Sequence, residues 1–205
     1  MILHKSVSRK NPLILASLSP RRKDILTQIG IPFQSVGSKM DEAVRKKMKP
    51  ADFACLMATR KAESVQPAHR GRWILAADTL VVVNNRVFGK PRDARDCRSM
   101  LRDLSGKRHR VITGFCILEP GGNKTHLEAV STRVRVKKLS ALEIEAYIAT
   151  GEPFGKAGAY AIQGIGAFMV EGIEGSYTNV VGLPVCEVVR ALVACGALQG
   201  FPISP

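Results

Sequence analysis

Apolar residues come along this chain in short runs broken by polar or glycine-rich segments, and their spacing switches between the periods of strands and helices. Leu13-Ile14-Leu15-Ala16 is an uninterrupted run of the kind that fills a sheet interior. Ser19-Pro20 then predicts a helix start, with Ser19 as N-cap and Pro20 at the first helical position. Ile25, Leu26 and Ile29 give that helix its apolar stripe, and Gly30-Ile31-Pro32 turns the chain into a second short strand over residues 33–36. The opening is β-α-β.

A polar stretch over 38–49 reads as a loop, followed by a helix over 51–65 with Phe53, Leu56 and Met57 on one side. Two buried strands, 73–77 and 80–83, are separated only by Asp78-Thr79, and Asn84-Asn85 predicts a hairpin turn into 86–88. The next helix carries Ala94, Cys97, Leu101 and Leu104 on one face and Arg95, Arg98 and Arg102 on the other. Strands over 109–118 and 125–136 are joined by Pro120-Gly121-Gly122-Asn123. Ser140 and Glu143 spell a capping box, and Leu139 and Ile144 a hydrophobic staple, for a helix ending near 151–153. The glycine-rich segment 155–182 has strand-like apolar pieces between its glycines, and 183–194 closes the pattern as a helix. The succession is that of an α/β protein.

At 205 residues the chain suits one domain, or one domain with two lobes. Its net charge of +14 and pI near 10.0 favour contact with something anionic: nucleotides, nucleic acid or an acidic membrane surface. The basic residues are scattered, with small clusters at Arg45-Lys46-Lys47, 92–102 and 133–138, so a solvated basic surface with nonspecific nucleic-acid binding is the expectation. The five cysteines form no C-x-x-C knuckle and the four histidines no H-E-x-x-H pair, which argues against structural zinc. With no signal-peptide pattern and no apolar run of membrane-spanning length, the expectation is a cytoplasmic protein without membrane contact.

Three patches carry candidate chemistry. Arg21 and Arg22 fall in the first turn of the first helix, where free N–H groups and the helix dipole attract phosphate; solvated surface arginines are the competing reading. Asp78 is the only charge in residues 74–83, so it is either paired, metal-bound or functional, or else a turn aspartate between two short strands. Glu42, Lys61 and Lys90 add groups that a triphosphate and its cation need, while no Walker A or G-x-G-x-x-G motif is present. The third patch is Lys156-Ala157-Gly158-Ala159-Tyr160-Ala161-Ile162-Gln163-Gly164 with residues 175–184. Its small residues admit close approach, and Gln163 offers the donor and acceptor that reading a uracil or thymine edge requires. Alternatively, Gln163 satisfies backbone groups in a pair of glycine-rich strands.

Ala16-Ser17-Leu18-Ser19-Pro20-Arg21-Arg22, Ala76-Ala77-Asp78-Thr79 with Gly89-Lys90-Pro91, the Gly158 to Gly164 stretch and Val180-Val181-Gly182-Leu183-Pro184 together resemble the Maf family of nucleoside triphosphate pyrophosphatases, in order and spacing. The resemblance runs over about 13–194. It implies a mixed twisted sheet with flanking helices, two lobes around a central cleft and an inosine triphosphatase-like architecture, with residues 1–12 as an N-terminal extension and 13–205 as one domain. It implies cleavage of a nucleoside triphosphate to the monophosphate and pyrophosphate, in the branch acting on dTTP and UTP, with Mg2+ or Mn2+. Asp78 would be the proton acceptor and, with Glu42, a metal ligand; Lys61 and Lys90 would join them in catalysis. Ser17 and Arg22 would hold phosphate, and Arg21, Thr79 and Gln163 would govern substrate choice. A homodimer is expected from the same resemblance. A basic nucleic-acid-binding or cell-division regulatory protein without turnover, and a clean-up enzyme for other noncanonical nucleotides, are the alternatives. One departure stands out: Gly155 occupies a position where the family commonly has an aspartate, a carboxylate that metal binding or catalysis would miss.

Overall fold

The computed structural model describes residues 5–38 and 48–203; Glu42 and the Arg45-Lys46-Lys47 cluster lie outside them. The strands are β1 (Leu13–Leu15), β2 (Phe33–Ser35), β3 (Ile74–Val83), β4 (Arg86–Phe88), β5 (Arg108–Leu118), β6 (Lys124–Val136) and β7 (Val170–Glu174). The helices are α1 (Pro20–Gln28), α2 (Pro50–Val65), α3 (Ala94–Leu104), α4 (Ala141–Ala149), α5 (Tyr177–Val181) and α6 (Val185–Ala194). The strands pair in the order β2-β1-β3-β5-β6-β7, with β4 also on β3. Parallel pairing of β1 with β2 and β3, and antiparallel pairing of β3 with β4 and β6 with β7, make this a mixed sheet. The chain divides into two compact units, Met1–Asp78 with Thr113–Val130 and Gly182–Pro205, and Thr79–Ile112 with Ser131–Val181.

In the first unit, β1-α1-β2 forms as its pattern predicts, with Leu13, Ile14 and Leu15 fully buried. The buried face of α2 is Ala54, Met57, Ala58, Ala62 and Val65; Phe53 and Leu56, expected on it, are only half-buried. Small residues on this face let the helix approach the sheet closely: a Cβ at Gly114 on β5 would lie 2.4 Å from the Ala54 carbonyl carbon and 2.5 Å from the Cys55 nitrogen. The segment before β1 is tied down by the Val7 N–H to the Ala197 carbonyl (2.8 Å) and by the indole of buried Trp73, which donates to the Lys5 carbonyl at 3.1 Å.

The largest correction to the sequence pattern is in β3. Asp78-Thr79 does not break it into two strands; one strand runs from Ile74 to Val83, so Asp78 is no turn residue. A hydrophobic run interrupted by a charge looks like two elements until a partner for the charge is known.

In the second unit, Asn84 and Asn85 take left-handed φ of 46° and 61°, the type I′ geometry that closes the β3/β4 hairpin. α3 is capped by the Asp93 carboxylate, which accepts from the Asp96 N–H at 2.7 Å, and buries Cys97, Leu101 and Leu104; Ala94, at its first turn, is exposed instead. The Ser140/Glu143 capping box forms on α4, and both staple residues, Leu139 and Ile144, are buried. These helices pack with Val81, Phe88, Val111, Val134 and Val136. His109 is buried with its Nε2 2.8 Å from the Tyr160 hydroxyl, and burial pushes its imidazole down from 6.5 to about 4. The glycine-rich segment is not a pair of strands: only β7 forms there, among 3-10 turns and α5. Left-handed φ at Gly155, Gly158, Gly164 and Gly175 turns the backbone repeatedly, which strand periodicity does not anticipate.

Candidate functional site

The first unit brings together Ser17, Arg22, Lys61 and Asp78. After Ala16, whose N–H reaches the Leu75 carbonyl at 2.9 Å, the chain leaves β1 and turns toward α1. Ser17 marks that turn. Its carbonyl accepts from the Ser35 hydroxyl at 2.7 Å, and its own Oγ accepts from the Ser19 N–H and from Arg22 Nη1, both at 3.2 Å. Ser19 is the N-cap by position, but its side chain makes no capping bond.

Arg22 is 8% exposed, which disposes of the surface reading for that arginine. Its Nε donates to the Gly182 carbonyl at 2.8 Å, so Arg22 of the first motif is tied to Gly182 within the first unit. Burial lowers the guanidinium to about 10, opposed by the charge of Asp78 and reinforced by that of Arg21; it remains a cation at neutral pH. Arg21 is half-buried and its guanidinium is also lowered by burial. Two neighbouring cations partly out of water, at a helix N-terminus whose dipole disfavours them, form a place where an anion is strongly attracted.

Asp78 meets Lys61 there, Oδ1 to Nζ 2.5 Å, with side-chain exposures of 15% and 13%. Burying such a pair contributes little net stability because desolvation offsets the attraction, so its placement points to chemistry more than to folding. Sheet register explains the position. β1 pairs with β3 at Ile14–Ile74 and Leu15–Leu75 and then departs, whereas antiparallel pairing to β4 begins at Val81; Asp78 lies between the two. Lys61 had a signal that the apolar-stripe reading of α2 missed: it stands four residues after Met57 and four before Val65, in the buried stripe. A lysine at a core position implies a partner.

Thr79, Lys90 and Gln163 belong to the second unit. Thr79 is half-buried on β3, and Lys90 is exposed just after β4. The Gly158 N–H donates to the Gly89 carbonyl at 3.0 Å, and a Cβ on Gly158 would come within 2.8 Å of Val81, so the Gly89-Lys90-Pro91 and Lys156-Ala157-Gly158 motifs touch. Gln163 is half-buried at the end of the second motif, and its side-chain amide has no hydrogen bond among the described residues. Gly155 has φ +74°, and a Cβ there would meet nothing within 4 Å; Asp tolerates that conformation better than most residues do.

Glu152 is a residue the sequence pattern did not single out. Its carboxylate accepts from the Tyr147 hydroxyl (2.8 Å) and from the Ile165 (3.0 Å) and Gly166 (2.8 Å) N–H groups. One donor from α4 and two consecutive amides of the 3-10 turn Ile165–Met169 converge on it, an arrangement with no local sequence signature. Among the described residues no group of three His, Cys, Asp or Glu side chains is placed to hold a metal ion.

A mixed α/β sheet protein with a buried lysine-aspartate pair and a buried arginine at a strand-helix turn is of the class that handles anionic substrates. A family model described as Maf-like protein matches residues 12–195, and the chain belongs to that family. It is 51% identical to a dTTP/UTP pyrophosphatase of Syntrophotalea carbinolica over 92% of this chain and 87% of that protein. It is 49% identical to the protein of the same name from Geotalea uraniireducens (93% and 98%), and 46% to that of Halalkalibacterium halodurans (93% and 99%). A crystal structure of a nucleoside-triphosphatase, or dITP/XTP pyrophosphatase, of Mycobacterium abscessus aligns at a TM-score of 0.42 and 14% identity over 89% of this chain and 96% of that one, too loosely to carry an argument. Among the described residues no helix is long and apolar enough to cross a membrane.

Proposed function

We propose that this protein hydrolyses dTTP and UTP to the nucleoside monophosphate and pyrophosphate. The observation that carries the reading is the Lys61–Asp78 pair at 2.5 Å, in the same unit as the Arg22, Ser17 and Gly182 cluster; the names of its relatives support the substrate. Asp78 takes a proton from the attacking water. As the water oxygen bonds to the α phosphorus, the bond to the α–β bridging oxygen breaks and pyrophosphate leaves with the electron pair. Lys61, Arg22 and Lys90 neutralise the phosphates, and Ser17 orients Arg22. Arg21, Thr79 and Gln163 select the substrate, Gln163 by pairing with the pyrimidine edge.

The donor chemistry fits a hard divalent cation, Mg2+ or Mn2+. Asp78 and Glu42 offer carboxylates, and such ions complete their shell with substrate phosphate oxygens and water. An ion held by these carboxylates would supply positive charge against the phosphates.

The test is pyrophosphate release from a panel of nucleoside triphosphates with magnesium or manganese. Activity confined to dTTP, UTP and their base-modified relatives is expected, and Asp78→Asn should lower turnover by about two orders of magnitude or more with folding intact. Near-wild-type release from that variant would remove Asp78 from the mechanism. Activity on altered purines alone would overturn the role of Gln163, and salt-dependent nucleic-acid binding without turnover would replace the enzyme reading.

A further inference from the structure

We propose that Glu152 is a positioning residue for substrate choice, holding the turn that carries Gln163; the inference rests on the pyrophosphatase reading above. Gln163 has no regular secondary structure to fix it, since it precedes Gly164 and the 3-10 turn Ile165–Met169. What fixes the turn is one carboxylate. Glu152 Oε1 accepts from the Ile165 N–H at 3.0 Å, and Oε2 from the Gly166 N–H and the Tyr147 hydroxyl, each at 2.8 Å. The same hydroxyl accepts from the Ala161 N–H at 3.3 Å, so the backbone is gripped on both sides of Gln163.

Glu152 is itself held at its backbone, where its N–H donates to Thr150 Oγ1 at 3.1 Å and its carbonyl accepts from the Lys156 ammonium. Gly164 shows how closely the carboxylate fits. It has φ +77°, and a Cβ there would lie 2.2 Å from Glu152 Oε1. Tyr147 is 2% exposed, which anchors the assembly in the core of the second unit. A side chain that discriminates bases by hydrogen bonding needs its backbone fixed to a fraction of an ångström, and Glu152 provides that through two amides immediately after the turn.

The test is a double-mutant cycle. Glu152→Gln keeps the shape but replaces one acceptor oxygen with a donor, opposing the N–H and O–H groups that converge on it. The variant should fold, should raise KM for UTP and dTTP more than it lowers kcat, and should reduce the preference for UTP over CTP by about tenfold. Combined with Gln163→Ala, it should reduce the preference no further than Gln163→Ala does alone, because both act through one contact. Amide hydrogen exchange at Ile165 and Gly166 should quicken in Glu152→Gln, and Glu152→Asp should fail to restore protection because its carboxylate falls short. Additive losses of preference, an unchanged preference, or unchanged exchange at both amides would overturn the proposal. If the wild-type protein turns over no nucleotide, the enzyme reading fails and the selectivity role with it; exchange then still reports whether Glu152 holds the turn.

Discussion

Acidification should destabilise the second unit through His109. Buried beside Tyr160, its imidazole is pushed from 6.5 to about 4, so the native state keeps it neutral while the unfolded chain takes up a proton first. A depressed base makes stability fall with falling pH: the loss begins near the ordinary value of 6.5, grows as pH drops toward about 4, and levels off below. At about 1.4 kcal/mol per pKa unit, the gap corresponds to roughly 3 kcal/mol, a large share of the 5–15 kcal/mol that ordinarily separates native from unfolded chains. Glu143 acts lower down: a hydrogen bond from Lys137 holds its carboxyl below its ordinary value of 4.5, and its contribution is lost as pH falls through that lowered pKa. The assay is urea unfolding followed by far-ultraviolet circular dichroism in steps from about pH 7 to about pH 4, for the wild type and His109→Gln. Glutamine can still meet the Tyr160 hydroxyl but does not titrate. The variant should be about 1–2 kcal/mol less stable at neutral pH and should lose about 3 kcal/mol less than the wild type across the range. Carboxylate effects common to both proteins cancel. Parallel stability curves, or an NMR titration of His109 centred near 6.5, would refute the argument.

Two further predictions concern the first unit. Gly114→Ala puts a methyl group into the α2 backbone at 2.4–2.6 Å; it should cost about 1–3 kcal/mol in urea unfolding and depress turnover by displacing Lys61, whereas unchanged stability would mean that the helix moves freely. Arg22→Ala should depress activity on every nucleotide by about two orders of magnitude, while Arg21→Ala should change their ranking; matching profiles from the two variants would undo that division of roles.

Elements whose determinants are local were legible in the sequence. The β1-α1-β2 opening follows from the Leu13-Ile14-Leu15 run and Pro20, the hairpin from Asn84-Asn85, and α4 from Ser140 and Glu143. What failed depended on partners far along the chain. β3 reads as two strands because the acceptability of Asp78 inside it depends on Lys61, seventeen residues away. Glu152 acts on amides 13 and 14 residues later. Arg22 offered only an even choice between surface and site until Gly182, 160 residues away, proved to accept its Nε hydrogen. The glycine-rich segment misled for a different reason: strand periodicity presumes negative φ, and its glycines supply the positive values that end strands.

Trp73, pinned under the N-terminal segment, has a spectroscopic consequence. It is the only tryptophan, and it lies in the first unit, whereas all three tyrosines, Tyr147, Tyr160 and Tyr177, lie in the second. The two chromophores therefore label different parts of the chain without any engineered probe. Selective excitation of the indole reports the surroundings of β1, β3 and Lys5 and is blind to the turn held by Glu152, which tyrosine absorbance sees through Tyr147. Coincident indole and tyrosine transitions would mean that the two units melt as one cooperative body; separated transitions would give each unit its own stability from a single sample.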